Sequence, residues 1–461
     1  MKLCTLLLIV SVTLFIFNKG KAQSLTLADS ILLNTAQSDT TLLREIIHNK
    51  PDEKVTAIAL NRIGIIYYKS KRDDKAEQVF LSVYNQFQGR AEAFLAAFYL
   101  GEIAFHKENL KKAKAYLSEF LSSNPEGTLA KWAQYYYVKS KFRDNDSDYV
   151  DAAHNFLADQ HNFMRSKKAT VQYEIIRYLM NNHNYAQALI EAQTLINNNP
   201  RDTLTEKVKF MIGEIYILLK RPIEALTHYN LIINENGITP MEAAKARFYI
   251  GEVFDNIGDI ENARINYQLL LNTYPNQKRW ATAAKYSLAM LNYQGWLTKN
   301  DSINQYKGYS SLLNYINQNP GDHHVPHALR ALADMYISDG RYNEAIDCFN
   351  KILSFDTSLV TLDPHASIRS NDLIEHKKII TDVKFTMARI MREMLHKPQD
   401  ALSIYYGMLS VSPNNSILKL NKALCLIDLN RSDEAKVILN QLVQEGGNQK
   451  KHAQYILLTL K

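Results

Sequence analysis

Apolar positions recur along this chain with helical period, in paired stretches separated by short polar turns. The pattern is most complete over residues 243–275, AAKARFYIGEVFDNIGDIENARINYQLLLNTYP. Gly251 is followed by Phe254 at three residues, Ala263 at twelve, Tyr267 at sixteen and Pro275 at twenty-four. Two apolar faces of helical period lie either side of Gly258, which predicts a helix, a tight turn and a second helix. A lone helical hairpin cannot bury its apolar face, so the unit implies stacking on copies of itself, about three or more being needed for stability.

The same spacing returns along most of the chain. Gly64, Tyr67, Ala76 and Phe80 repeat it, with Lys71 to Asp74 as the turn, and Gly101, Ala113, Leu117 and Pro125 follow with Ala104 in place of the aromatic. A third unit around Ala133 and Tyr136 carries a polar insertion from Arg143 to Asp148, before a second helix that resumes near Ala152. The fourth has Ile176 at the glycine position with Leu179, Ala188 and Pro200, and the fifth has Gly213, Tyr216, Ala225 and Tyr229. After the reference unit, Ala289 precedes an inserted stretch from Gln294 to Asp301, which predicts a bend. Ala333, Tyr336, Ala345 and Phe349 restore the pattern, and Ala401, Tyr405 and Pro413, then Ala423, Ala435 and Leu439, close it.

These boundaries divide the chain into a leader (1–22), N-terminal capping helices (23–56), a repeat array (57–277), an array with an insertion (278–356), a loop or hinge (357–372), and a final pair of units with a capping helix (373–461). The leader reads as a secretory signal peptide. Lys2 precedes an apolar run from Leu3 to Phe17, and Gly20 and Ala22 occupy the small-residue positions before a cut at Gln23. That run is short of the ~20 residues a membrane span needs, so the mature chain is expected to be exported, to the periplasm, without a transmembrane segment. Losing Lys2, Lys19 and Lys21 lowers the formal charge from +7 to +4. The remaining basic residues come in scattered pairs, which points away from nucleic acid as a partner. Cys348 and Cys425 fall in separate units on apolar helical patterns and are expected to be buried free thiols.

Each recurring residue type has a packing reason. Alanine at offset twelve sits where the two helices cross, and a larger side chain there costs about 1–3 kcal/mol. Glycine or alanine at the anchor permits the same close approach. Aromatics at offsets three and sixteen fill the space between neighbouring hairpins, and proline at offset twenty-four ends the second helix. Small, aromatic, Ala, aromatic, Pro at these offsets resembles the tetratricopeptide repeat, over nearly all of the mature chain. One departure is the distance of 37 residues from Gly64 to Gly101, against a family period of about 34. The pieces around Gly101 and Gly251 are similar to those of envelope-associated members of the family.

The resemblance implies an all-α fold, a right-handed superhelical solenoid of about ten helix-turn-helix repeats. It also implies a groove lined by first helices, with the residues three before and one after the small anchor facing it. Here these are Phe98 with Glu102, Tyr173 with Arg177, Phe210 with Glu214, Phe248 with Glu252, and Arg330 with Asp334. This aromatic and acidic set is unlike the Lys/Asn clamp with which some members hold a C-terminal carboxylate. It predicts a peptide or protein segment with apolar anchors and some basic residues as the partner.

No HExxH helix, Gly-rich phosphate loop, GxSxG elbow or CxxC pair is present, so neither catalysis nor a cofactor is expected. His323 and His327 could share a helical face, but Pro326 starts a helix between them and no metal site is assigned. The reading is an exported scaffold or adaptor that binds envelope proteins, in outer-membrane or secretion-machinery assembly. A peptidoglycan or carbohydrate receptor is the alternative, since Tyr and Phe beside carboxylates also hold sugars. An enzyme would need a site in the 356–372 loop, which offers only Asp363 and His365.

Overall fold

The computed structural model describes residues 40–48, 52–123, 125–158, 164–200, 202–299, 301–355 and 372–460. The expected signal peptide, the first part of the capping segment and nearly all of the 357–372 loop lie outside the described residues. Among those described there are 22 α-helices and no strand. Among the described residues no helix is long and apolar enough to cross a membrane. The chain divides into two compact units, Met1–Tyr178 and Leu179–Lys461.

In the first unit, α1 (Thr40–His48) precedes three hairpins: α2 (Glu53–Lys69) with α3 (Asp73–Gln86), α4 (Ala91–His106) with α5 (Leu110–Ser122), and α6 (Thr128–Arg143) with α7 (Tyr149–Leu157). The division falls inside α8 (Arg165–Asn181), which is followed in the second unit by α9 (Tyr185–Asn198). Six hairpins then run to the end. They are α10 (Thr203–Leu218) with α11 (Pro222–Ile233), α12 (Pro240–Asn256) with α13 (Ile260–Thr273), and α14 (Lys278–Lys299) with α15 (Ser302–Gln318). After these come α16 (Val325–Ser338) with α17 (Tyr342–Leu353), α18 (Asp372–Glu393) with α19 (Pro398–Val411), α20 (Ser416–Asp428) with α21 (Ser432–Glu445), and the terminal α22 (Lys450–Thr459).

Local signals set the helix starts. Thr239 accepts from the Glu242 amide while the Glu242 carboxylate accepts from the Thr239 amide, a reciprocal cap before Pro240. Asp52 and Asp301 cap α2 and α15 in the same sense. Pro125, Pro200, Pro275 and Pro413 each fall just beyond the end of a second helix, as their offset predicts.

The anchor glycines are explained by the residue sixteen positions on. A Cβ at Gly64 would lie 2.6 Å from the Phe80 ring, at Gly101 2.6 Å from Leu117, at Gly213 2.2 Å from Tyr229 and at Gly251 2.5 Å from Tyr267. The offset-sixteen side chain therefore lies on its own hairpin's anchor as well as between hairpins. From there it also reaches the next first helix: Phe80 stacks on Tyr99 at 4.9 Å and Tyr229 on Tyr249 at 5.3 Å. The offset-twelve alanines, Ala76, Ala113, Ala188, Ala225, Ala263, Ala345 and Ala435, are fully buried.

One expectation changes. Most of the stretch from Gln294 to Asp301 is not an inserted loop, because α14 continues as helix to Lys299 and buries Trp296 against Tyr293 and the Leu312 region. The polar residues after Arg143 lengthen the α6–α7 turn to five residues, against three in α2–α3. The second helix resumes at Tyr149, and its buried small residue is Ala153.

The turn inside a hairpin repeats one geometry. Its middle residue takes a positive φ at Lys71 (57°), Glu108 (60°), His183 (60°), Lys220 (60°), Gly258 (81°) and Gly340 (71°). The next amide donates five residues back, as Asn109 does to the Ala104 carbonyl at 2.9 Å and Asp259 to the Phe254 carbonyl at 2.9 Å, which satisfies a helix-end acceptor. Glu108 is exposed and holds this left-handed conformation with a Cβ, at a cost of about 1–2 kcal/mol. Glu108→Gly is therefore expected to raise stability by about 0.5–1 kcal/mol once glycine's unfolded-state entropy is subtracted, and Gly258→Ala to lower it. Urea midpoints of the two variants should move in opposite directions.

Candidate binding surface

The first helices of neighbouring hairpins are tied together by polar rungs. In the first unit, Asn61 on α2 donates to the Glu92 carbonyl on α4 at 2.8 Å. Glu102 on α4 accepts from the Tyr136 hydroxyl on α6 at 2.8 Å, and its charge acts on Tyr68 on α2. Burial first, and then this carboxylate, push both phenols well above their ordinary range. Lys139 on α6 donates to Glu174 on α8, a nearly buried pair with side chains 13% and 9% exposed. Burial pushes the Glu174 carboxyl up despite Lys139, Arg177 and Arg143 working the other way.

In the second unit the rungs recur with other residues. Asp334 on α16 pairs with Arg330 at 2.9 Å, one turn earlier, and accepts from the Tyr293 hydroxyl on α14 at 3.4 Å. Arg330 also reaches Asp382 on α18 at 3.0 Å, and Arg392 on α18 reaches Asp428 on α20 at 3.0 Å. Between α10 and α14 the rungs are aromatic: ring centroids of Phe210 and Tyr249 lie 6.1 Å apart, and those of Tyr249 and Trp280 5.9 Å apart.

The ten residues singled out from the sequence separate by position. Phe98, Phe210 and Phe248 are 3%, 3% and 9% exposed and turned into the core, against Phe120, Tyr229 and Tyr267 of their own hairpins. A residue three before the anchor shares the anchor's helical face. Since the anchor lies at the helix crossing, these rings are buried with it and do not line an open groove. Glu102, Glu214, Glu252 and Asp334, one after the anchor, are turned about 100° away and are half-buried at the first-helix surface. Tyr173 is half-buried, Arg177 is exposed, and half-buried Arg330 lies over the Phe349 ring as well as between Asp334 and Asp382. Every one of the four acids has a partner within the chain. The sequence could not show the bonds of Tyr136 to Glu102 and of Tyr293 to Asp334, because those donors come from other hairpins.

Three stretches match a known repeat family: residues 245–276 (α12 with α13), residues 327–358 (most of α16 with α17), and residues 394–457 (α19 to α22), each described as tetratricopeptide repeat. The chain carries tetratricopeptide repeats. Its repeats without a family match, such as α4 with α5, keep the same anchor and offset-sixteen contact. Similar solved structures include the human IFIT1 dimer with m7Gppp-AAAA (12% identity, covering 95% of this chain and 96% of that one, TM-score 0.38). They also include the apo form of RapI (14%, 68% and 91%, 0.40) and a tetratricopeptide repeat protein from Parabacteroides merdae (15%, 63% and 98%, 0.33). No curated protein matches the chain.

Histidine and cysteine chemistry in the repeats differs from the sequence expectation in one respect. The structure groups Asp322, His323 and His324, with one ligand atom from each within 4.8 Å of the others. This replaces the pair His323 and His327. Asp322 accepts from the His324 amide at 3.0 Å, from His324 Nδ1 at 3.1 Å and from the Tyr315 hydroxyl. Although burial opposes it, these bonds hold the Asp322 carboxyl down to about 2. The aspartate thus ties down the turn that leads into α16, and His324 stacks on Tyr286 at 4.3 Å. Cys348 and Cys425 are free and buried, and burial pushes each thiol up to about 11, far from a reactive thiolate. Asp363 and His365, the sequence candidates for an enzymatic loop, lie outside the described residues.

The residue that sequence reasoning passed over is Lys245 on α12. Its ammonium lies 3.9 Å from the Phe210 ring centroid and 5.8 Å from that of Tyr249, and burial pushes it down to about 8. A usable signal was present: Lys207 and Lys245 both stand six residues before their anchors, Gly213 and Gly251.

Proposed function

We propose that this chain is an exported adaptor whose first-helix surface binds an extended or helical segment of another protein of the cell envelope, in outer-membrane or secretion-machinery assembly. The observation that carries the reading is the run of rungs along the first helices. Within the first unit Tyr68, Glu102 and Tyr136 and Lys139 with Glu174, and within the second Arg330 with Asp334 and Asp382, fix side chains of successive hairpins. A surface held this way loses little side-chain entropy when a partner is laid on it. The tetratricopeptide repeats support protein binding as the mode of action, and export rests on the Leu3 to Phe17 run with Gly20 and Ala22.

Two measurements test this. N-terminal sequencing of the chain from a fractionated native host should begin at Gln23 in the periplasmic fraction, and a cytoplasmic chain retaining Met1 would remove the export half. A photocrosslinking residue at Arg177 or Lys207, both exposed on first helices, should give adducts with an envelope protein. The same residue at Ile223 or Leu231, exposed on the second helix α11, should give none. The reverse pattern would move the interface to the second helices.

A further inference from the structure

The aromatic rungs of α10, α12 and α14 carry cations on their faces. Lys245 lies over Phe210 at 3.9 Å and near Tyr249 at 5.8 Å, and Arg279 lies over Trp280 at 5.0 Å. Lys207 stands at the Lys245 position of the preceding hairpin, and its field and that of Arg279 act on Lys245. Among the described residues Lys245 makes no hydrogen bond and no ion pair. The two acids whose fields favour its charge are Glu214 and Glu242. Glu242 is committed to the cap of α12, where it accepts from the Thr239 amide at 2.9 Å, and Glu214 has a partner of its own.

A partly desolvated ammonium needs compensation. Ring faces supply about 0.5–2 kcal/mol of attraction, which is less than an ion pair in the same surroundings, and the two neighbouring cations work against it. An oxyanion arriving from outside would meet three cations at once and form charge-assisted hydrogen bonds with the one that has none. The acids of the first-helix surface offer a basic partner much less, since Glu102, Asp334, Glu214 and Glu252 are each engaged within the chain. The preferred partner charge over these hairpins is therefore opposite to the one read from the sequence.

We propose that α10, α12 and α14 seat a carboxylate side chain of an extended partner segment against Lys245, flanked by Lys207 and Arg279, with its aliphatic stem on the Phe210, Tyr249 and Trp280 rings. The inference rests on the first-helix surface being the binding surface, and names the chemistry that this part of it takes.

The test is selection of a displayed library of random 15-residue peptides on the full chain, followed by fluorescence anisotropy of the enriched peptides. Enriched sequences should carry Asp or Glu at a fixed position. They should bind Lys245→Gln at least tenfold more weakly and Lys207→Gln several-fold more weakly, with Lys111→Gln of the first unit unchanged. Lys245→Arg should keep affinity within about threefold and should not lose it between pH 7 and pH 9.5, whereas the unmodified chain should weaken over that range as Lys245 gives up its proton. Thermal melts of the variants exclude misfolding as the cause. Enriched peptides that are basic or neutral, and that bind Lys245→Gln as well as the unmodified chain, would overturn the carboxylate assignment and leave the binding surface standing. Recovery of no peptide that competes at first-helix positions would overturn both.

Discussion

Replacing Lys139 by methionine is expected to cost the first unit about 3–5 kcal/mol at neutral pH, because it strands the Glu174 carboxylate in a site where that side chain is 9% exposed. Arg143 and Arg177 also favour the ionised form, which keeps the loss toward the lower end. One carboxylate oxygen, Glu174 Oε2, already has no hydrogen-bond partner among the described residues, so little in the site can take over from the ammonium. The pH dependence carries the diagnosis. Burial already raises the Glu174 carboxyl above its ordinary value, and removing Lys139 raises it further. A folded state that holds its proton more tightly than the unfolded one loses stability as pH rises through the folded value. The penalty of Lys139→Met should therefore be full at pH 7.5 and shrink toward pH 5, and Lys139→Met with Glu174→Gln should recover most of it. Urea unfolding followed by Trp132 fluorescence, with Trp280 and Trp296 changed to Phe, reads this unit. An equal loss at both pH values would mean that the ammonium's contact with the Phe142 ring, 5.8 Å from its centroid, matters more than the pairing with Glu174.

The second large effect is expected at an anchor. Gly213→Ala places a Cβ 2.2 Å from the Tyr229 ring, and that ring cannot easily withdraw. It is fully buried, stacked on Tyr249 at 5.3 Å, and its hydroxyl donates to the Phe210 carbonyl at 3.4 Å. Overpacking of this kind costs about 1–3 kcal/mol, and the upper end is expected. Tyr229→Leu removes the atoms nearest to the new methyl, so Gly213→Ala with Tyr229→Leu should fall short of additivity by about 1–2 kcal/mol. Gly407 on α19 is the control. A Cβ there meets nothing within 4 Å, and Gly407→Ala should stabilise by about 0.5–1 kcal/mol through helix propensity alone. If both glycines responded alike in a thermal melt, the close approach of Tyr229 would not be what selects glycine at the anchor.

The repeat itself was readable from spacing alone. Residues that meet inside one hairpin lie within about two dozen positions of each other, so small anchor, buried alanine, aromatic lid and closing proline leave a fixed period in the sequence. Gly251, Ala263, Tyr267 and Pro275 did so, and the same period located each later repeat. The turn geometry was less legible, because a left-handed residue is tolerated as Lys, Glu or His wherever its own amide and the next can bond back. The insertion after Ala289 was misjudged because extra residues of helical propensity cost nothing if they continue a helix, and Trp296 supplied the apolar face to do so.

The sequence by itself determined the fold class, the hairpin boundaries and which residues lie at each helix crossing, since these depend on contacts that are local in the chain. The tertiary structure alone decided which charges are already spent. Glu102 meets Tyr68 and Tyr136, Lys139 meets Glu174, and Asp334 meets Tyr293 across hairpins 34 or more residues apart, while Lys245 lies over the Phe210 and Tyr249 rings with no hydrogen bond or ion pair among the described residues. The physical reason is that periodicity records how a hairpin closes on itself. The electrostatics of a stacked surface depends on which side chains successive hairpins bring face to face.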